Sequence, residues 1–170
     1  MTPSLDVAEL LRRLGRAGVA HVLIGGLAVN AHGVIRATKD VDICPDPDPA
    51  NLKRLASLLA EIGVRQLGVE DDGFSEREMP FDPTDAADLA QGGNFRLETP
   101  LGVLDIMQWI PGLDAEHTFE ALAQDALIAE AFGVKLRVCS LPALRRMKQA
   151  AGRPRDLQDL ADLEAAHPSD

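Results

Sequence analysis

Apolar residues recur at helical spacing at Val7, Leu10, Leu11 and Leu14, and with Ser4 as cap they predict a helix over 4–16. The apolar run Ala20-His21-Val22-Leu23-Ile24 ends in Gly25-Gly26, which reads as a buried strand entering a sharp turn. Leu27 to His32 then predicts a short helix closed by Gly33. Val41 and Ile43 alternate with Asp40 and Asp42, the mark of a strand with two unlike faces. Pro45, Pro47 and Pro49 stop that strand, and Asn51 to Ile62 predicts an amphipathic helix ended by Gly63. The acid- and proline-rich stretch 68–91 predicts loop with at most one short helix. Phe95–Glu98 and Val103–Trp109 flank Thr99-Pro100-Leu101-Gly102 as a hairpin. Further on, Ala115–Asp125 predicts helix, and Leu127–Phe132 with Val134–Cys139 predicts a strand pair around Gly133. Ser140 with Pro142 just inside starts one helix, and Pro154 starts the last, through Ala166. The order is mixed α/β, or α+β: a small mixed sheet packed with helices, and a helical section over about 140–166.

Composition narrows the class. At 170 residues with 46% apolar content, the chain fits a single domain over 1–170 with a real core. Its 17 basic against 27 acidic residues leave a net charge of −10, which argues against a general nucleic-acid coat or an anionic-membrane binder. Aromatic content of 4% and the absence of Tyr leave few rings for base stacking. Cys44 and Cys139 cannot make a disulfide framework and read as inert buried thiols. With no signal-like start and no apolar run of about 18 residues, a cytoplasmic protein with no membrane partner is expected.

Chemistry concentrates between Gly25 and Asp42. Side chains at i and i+2 of a strand leave the same face about 7 Å apart, so Asp40 and Asp42 converge. Two carboxylates so close repel unless a cation lies between them, and Mg²⁺ suits oxygen-only ligands. Asp105, between Leu104 and Ile106, offers a third strand carboxylate where an unpaired charge is costly. Three acids around hard cations can clamp the attacking and leaving oxygens of a phosphoryl displacement. Gly25-Gly26, lacking side chains, lets backbone N–H groups approach a phosphate. Arg36 and Thr38 either brace the loop or contact that phosphate. Asp46-Pro47-Asp48 mimics the acid pattern, but its prolines predict an extended solvated linker. His21, His32, His117 and His167 show no zinc-ligand spacing, and neither a P-loop nor a nucleophile elbow is present.

Gly-Gly, then Arg36-x-Thr38-x-Asp40-x-Asp42, then a later strand Asp, resembles the motif order of polymerase-beta-like nucleotidyltransferases. The run Lys148…Arg153-x-x-Asp156-x-x-Asp159 looks like the terminal signature of minimal nucleotidyltransferases, which include abortive-infection toxins of bacterial toxin–antitoxin pairs. The resemblance spans Val19 to about Leu163, leaving out 68–91. It implies the minimal nucleotidyltransferase fold, a nucleoside triphosphate such as ATP as substrate, and Mg²⁺, two ions, as cofactor. It implies that Asp40 and Asp42 bind metal, with Asp105 beside them as third ligand and as activator of the acceptor hydroxyl. Gly25 and Gly26 would hold the triphosphate, and Lys148 would touch phosphate or base as part of the catalytic set. Arg153, Asp156 and Asp159 would line or buttress the nucleotide pocket. Many members carry Gly-Ser where this chain has Gly25-Gly26, so one hydroxyl that could contact phosphate is missing.

Three functions follow as expectations. The first is a toxin-type transferase acting on tRNA or a protein hydroxyl, with a cognate antitoxin as partner. Arg145, Arg146, Lys148, Arg153 and Arg155 would grip acceptor phosphates there, unless they only neutralise Asp156, Asp159 and Asp162. The second is a small-molecule transferase of the antibiotic-modifying kind, whose acidic cleft would suit a cationic drug. The third is a catalytically silent partner-binding module, which gives no reason to keep three mutually repelling acids.

Overall fold

The computed structural model describes residues 6–67 and 81–169. Helix α1 (Val7–Arg16) presents Leu10, Leu11 and Leu14 to the core. It opens later than the periodicity suggested, because Asp6 is its cap and accepts from the Glu9 N–H at 2.9 Å. Ser4, the expected cap, lies outside the described residues. Strand β1 (His21–Ile24) runs straight into α2 (Gly25–Ala31), which starts two residues before the expected Leu27. The reason is Gly25: its φ of +67° turns the chain from strand to helix with no linker between.

Strand β2 (Asp40–Pro45) buries Val41 and Ile43 completely and leaves Asp40 and Asp42 half-buried on the other face. The Asp46-Pro47-Asp48 stretch is the largely exposed linker expected between β2 and the next helix, and its acids also start that helix. Asp48 caps α3 (Pro49–Ile62) by accepting from Ala50 and Asn51, and Asp46 accepts from the Asp48 N–H. Gly63, left-handed at φ +78°, closes α3 as expected.

After β3 (Arg65–Gln66) the described chain resumes at 81, and α4 (Ala86–Ala90) is the short helix expected there. The hairpin forms from β4 (Asn94–Thr99) and β5 (Gly102–Met107), paired from Thr99↔Gly102 to Asn94↔Met107. Helix α5 (Thr118–Ala123) is shorter than the expected 115–125. Asp114 forms its own turn, accepting from the Glu116 N–H and the Thr118 hydroxyl, and this displaces the first helical turn. Strands β6 (Leu127–Ala131) and β7 (Val134–Val138) pair as expected, followed by α6 (Leu141–Ala151) and α7 (Pro154–Ala166).

Among the described residues one seven-stranded mixed sheet has the order β3-β4-β5-β2-β1-β7-β6. At its centre β2 pairs parallel with β5 and antiparallel with β1. Leu97, Leu104, Ile106, Val41 and Ile43 line one sheet face without solvent contact, joined in the core by Leu52, Leu55 and Leu59 of α3. Each such side chain contributes about 1.5–3 kcal/mol of burial. That apolar face forces the opposite parity of β2, β4 and β5 outward, and every acid of interest sits on it. Helix α2 packs on β1 and β2, and α6 packs on both α2 and α7. No described helix is long and apolar enough to cross a membrane.

Candidate active site

Register alone brings the carboxylates together. Asp42 lies directly opposite Asp105 across the parallel β2–β5 pair, and Asp40 lies opposite Val103, one pleat away on the same face. Asp42 and Asp105 face each other closely enough across the pair to share a proton. Burial first, then the Asp42 charge and the shared hydrogen bond, push Asp105 up to about 8. Burial also raises Asp42, opposed by its hydrogen bond to Asp105. Like charges in a low-dielectric site cannot both ionise without a cation.

A cation is already present in the protein. Arg96, opposite Asp105 across the β4–β5 pair, donates from Nη1 to Asp105 Oδ2 at 2.9 Å and from Nη2 to Asp40 Oδ2 at 3.1 Å. Sequence reasoning passed over Arg96, although counting back from the turn at Thr99–Gly102 pairs it with Asp105. An arginine on a strand reads as a solvated side chain until the register is fixed.

The double glycine is required by its neighbours. A Cβ on Gly25 would lie 2.0 Å from Asp42 Oδ2, and one on Gly26 would lie 2.8 Å from Thr38 Oγ1. No side chain caps α2, and the Gly26 N–H opposes the rise of the Asp42 pKa. Thr38 Oγ1 also reaches the Asp40 carbonyl at 3.3 Å, and a Cβ on Gly26 would sit 3.2 Å from Arg36 Nη2. Gly25, Gly26, Arg36 and Thr38 thus meet at one place beside Asp42.

The terminal motif closes on itself. Lys148 Nζ lies 2.8 Å from Asp159 Oδ2 and 3.1 Å from Asp156 Oδ1. Arg36 Nη1 donates to both carboxylate oxygens of Asp159, tying the loop before β2 to α7. Arg153 pairs with Asp156 at 2.7 Å, and Arg155 donates to the Ala37 carbonyl at 3.2 Å. Burial would raise the Asp156 pKa, but the hydrogen bonds from Arg153 and Lys148 outweigh it and hold the group low. Both acids are essentially buried, whereas the Arg153 side chain stays exposed. The hydrogen bond to Asp156 raises the Arg153 pKa, and the field of Asp42 and Asp105 adds to it, so this guanidinium stands within electrostatic reach of the acids. Arg145 pairs with Glu164 and the His167 carbonyl, while Arg146 is exposed. Cys44 and Cys139 are buried free thiols whose pKa burial pushes up to about 12, which fits inert packing groups.

The donors Asp40, Asp42 and Asp105 supply oxygen only, which suits a hard divalent cation. Among the described residues no three His, Cys, Asp or Glu side chains already stand as a ready metal cage. Arg96 holds one oxygen each of Asp40 and Asp105, and Asp105 holds a proton against Asp42, so the cluster is neutralised only in part from within. The residues fit the cation chemically, provided Arg96 and that proton yield to it.

No family model matches the sequence, and no curated protein sequence matches it either. Solved structures do match in fold. The lincosamide antibiotic adenylyltransferase LnuA, in its lincomycin-bound crystal structure, aligns over 96% of this chain and 99% of its own, with TM-score 0.59 and 17% identity. The antibiotic-resistance factor ANT(2'')-Ia, in a solution structure, aligns over 94% of this chain and 83% of its own, with TM-score 0.54 and 18% identity. A crystal structure of ANT(2'')-Ia with adenylyl-2''-tobramycin gives TM-score 0.54 and 17% identity over 94% of this chain and 88% of its own. Identities this low speak for architecture alone, and the conclusion they carry is that the chain shares the fold of these structures.

Proposed function

We propose that this protein is a nucleotidyltransferase that moves a nucleoside monophosphate from a nucleoside triphosphate to a hydroxyl of a small, cationic acceptor. The observation that carries the reading is the register that sets Asp40, Asp42 and Asp105 side by side against the side-chain-free turn at Gly25-Gly26. The acceptor oxygen attacks the α-phosphorus, the bond to the bridging oxygen of pyrophosphate breaks, and the hydroxyl proton passes to Asp105. Asp105 must be ionised to receive it, so the proton it shares with Asp42 has to leave first. Asp40, Asp42 and Asp105 would hold Mg²⁺, which when bound neutralises phosphate charge and aligns the reacting oxygens. Gly25, Gly26 and Thr38 border the space for the triphosphate, with Arg36 and Arg153 as its cationic neighbours. Lys148, Asp156 and Asp159 brace that arrangement through their mutual ion pairs.

A small acceptor is favoured over tRNA or a protein for two reasons. Lincomycin is bound in one fold neighbour and adenylyl-2''-tobramycin in another, and this chain covers 99% and 88% of them. Of the five cations that could grip RNA, Arg145, Lys148, Arg153 and Arg155 already hold partners within the chain. A net charge of −10 favours a cationic acceptor. The test incubates the protein and Mg²⁺ with each α-labelled nucleoside triphosphate and, separately, an aminoglycoside, a lincosamide, tRNA and a cell lysate. Label in a small molecule is the expected result. Label in tRNA or in a lysate protein would replace this acceptor with the toxin-type one, and no label anywhere would remove the transferase reading.

A further inference from the structure

Strand parity extends the acid cluster into a longer surface. Leu104 and Ile106 on β5, and Phe95 and Leu97 on β4, point into the core. Asp105 and Met107 therefore follow one another on the outward face, opposite Arg96 and Asn94, and Trp109 comes two residues past the end of β5, in a bend. Four residues along the chain, the Trp109 Cα stands at most about 14 Å from that of Asp105.

Trp109 is 54% exposed, yet it is firmly held. Asn94 Oδ1 accepts from the Gln108 and Trp109 N–H groups at 2.9 and 3.0 Å, and Asn94 Nδ2 donates to the Trp109 carbonyl at 2.8 Å. The indole lies against Gly92, where a Cβ would stand 2.9 Å from Nε1 and 3.2 Å from Cε2 and Cζ2. The loop just beyond is fixed too: a Cβ on Gly112 would meet Ala150 Cβ at 2.9 Å and the Arg146 carbonyl at 3.1 Å, both on α6. The Nε1–Cζ2 edge of the indole is held against glycine and the side chain still offers half its surface to solvent. A half-exposed indole held in one place is available to stack against a ring.

We infer that Trp109 is the stacking platform of the acceptor subsite, taking the apolar face of a cationic amino-sugar or a similarly sized ringed amine whose hydroxyl reaches Asp105. This rests on the transfer reading above. Indole faces attract cations and stack on ring faces, and the chain's net charge of −10 favours the same positive charge. A two- or three-ring molecule spans the distance.

The chain has one Trp and no Tyr, so its intrinsic tryptophan emission reports this site alone. Emission of the full-length protein is titrated with tobramycin, lincomycin, ATP alone and tRNA, and transfer kinetics are compared in wild type, Trp109→Phe and Trp109→Ala. The expected result is an emission change that saturates near the KM of the modified acceptor. Trp109→Ala should raise that KM about tenfold, well beyond its effect on kcat, with ATP affinity unmoved, and Trp109→Phe should restore most of the loss. An acceptor modified with unchanged KM in Trp109→Ala overturns the platform and leaves the transfer reading standing. Emission that responds to an acceptor which wild type never modifies overturns the transfer reading and leaves the platform. Emission indifferent to every acceptor, or dependent on protein concentration alone as for a second copy, overturns the platform.

Discussion

Arg96 is the chain's own cation at the acid cluster. Its guanidinium bridges Asp40 and Asp105 in the space where a divalent cation would compete for the same oxygens. Replacing it by Gln should destabilise the metal-free protein by roughly 1–2 kcal/mol, between the values for exposed and buried pairs. The same change should make thermal stability respond to lower Mg²⁺ concentrations than in wild type. Melting curves in chelator and across an Mg²⁺ series check both, and an unaltered Mg²⁺ response would show that Arg96 does not compete with the cation. Gly25 makes the second residue-scale prediction. Gly25→Ala forces a methyl to within 2.0 Å of Asp42 Oδ2 at a φ of +67°, so Asp42 or the turn must shift. A loss of about 1–3 kcal/mol in denaturant melts is expected, with transfer lost more completely than stability. At this scale much was readable before any coordinates: alternation about Val41 and Ile43 put Asp40 and Asp42 on one face. What escaped was Arg96, because its meaning depends on a partner strand rather than on its own neighbours.

At the scale of elements, the turn chemistry of the hairpin, the caps at Ser140 and Gly63 and the Pro154 start all proved local enough to read. The errors have a common cause. Asp6, Asp48 and Asp114 each spend a carboxylate on backbone N–H groups, moving a helix start or replacing a helical turn. Spacing also could not show where Lys148 points. In isolation it is a cation at phosphate-binding spacing, but α6 and α7 fold back on each other and give it two buried carboxylates. Asp159 then joins three elements, through Lys148 on α6 and Arg36 before β2. Asp159→Asn keeps the shape and removes the charge, which leaves two half-buried cations undercompensated. A destabilisation of about 3 kcal/mol is expected in equilibrium unfolding, together with weaker triphosphate binding as Arg36 and the loop over Gly26 loosen. A variant as stable as wild type would return Asp159 to a direct role at the nucleotide.

For the molecule as a whole, the acid cluster ties stability to pH. Folding raises Asp105 from its ordinary 3.8 to about 8, so the folded state keeps a proton that the unfolded chain releases. That contribution is complete below the ordinary carboxylate range and is lost as pH rises through about 8. Groups held low by their partners, such as Glu9 and Asp156, act in the opposite sense and only in acid. The melting temperature in chelator should therefore fall between about pH 6 and the Asp105 value near 8. Mg²⁺ should flatten that fall by taking the place of the proton. A metal-free melting temperature that climbs across this window would contradict the shared-proton geometry.

The central claim is that the carboxylates of β2 and β5 drive nucleotidyl transfer. Its most direct test measures pyrophosphate release together with the mass of the acceptor, for wild type and for Asp42→Asn, whose folding is verified by melting in chelator. The account predicts one pyrophosphate per nucleotidylated acceptor with wild type, and loss of both signals in an Asp42→Asn protein that melts no lower than wild type. Turnover by Asp42→Asn at the wild-type rate, or pyrophosphate released by wild type with no nucleotide on any acceptor, would contradict it.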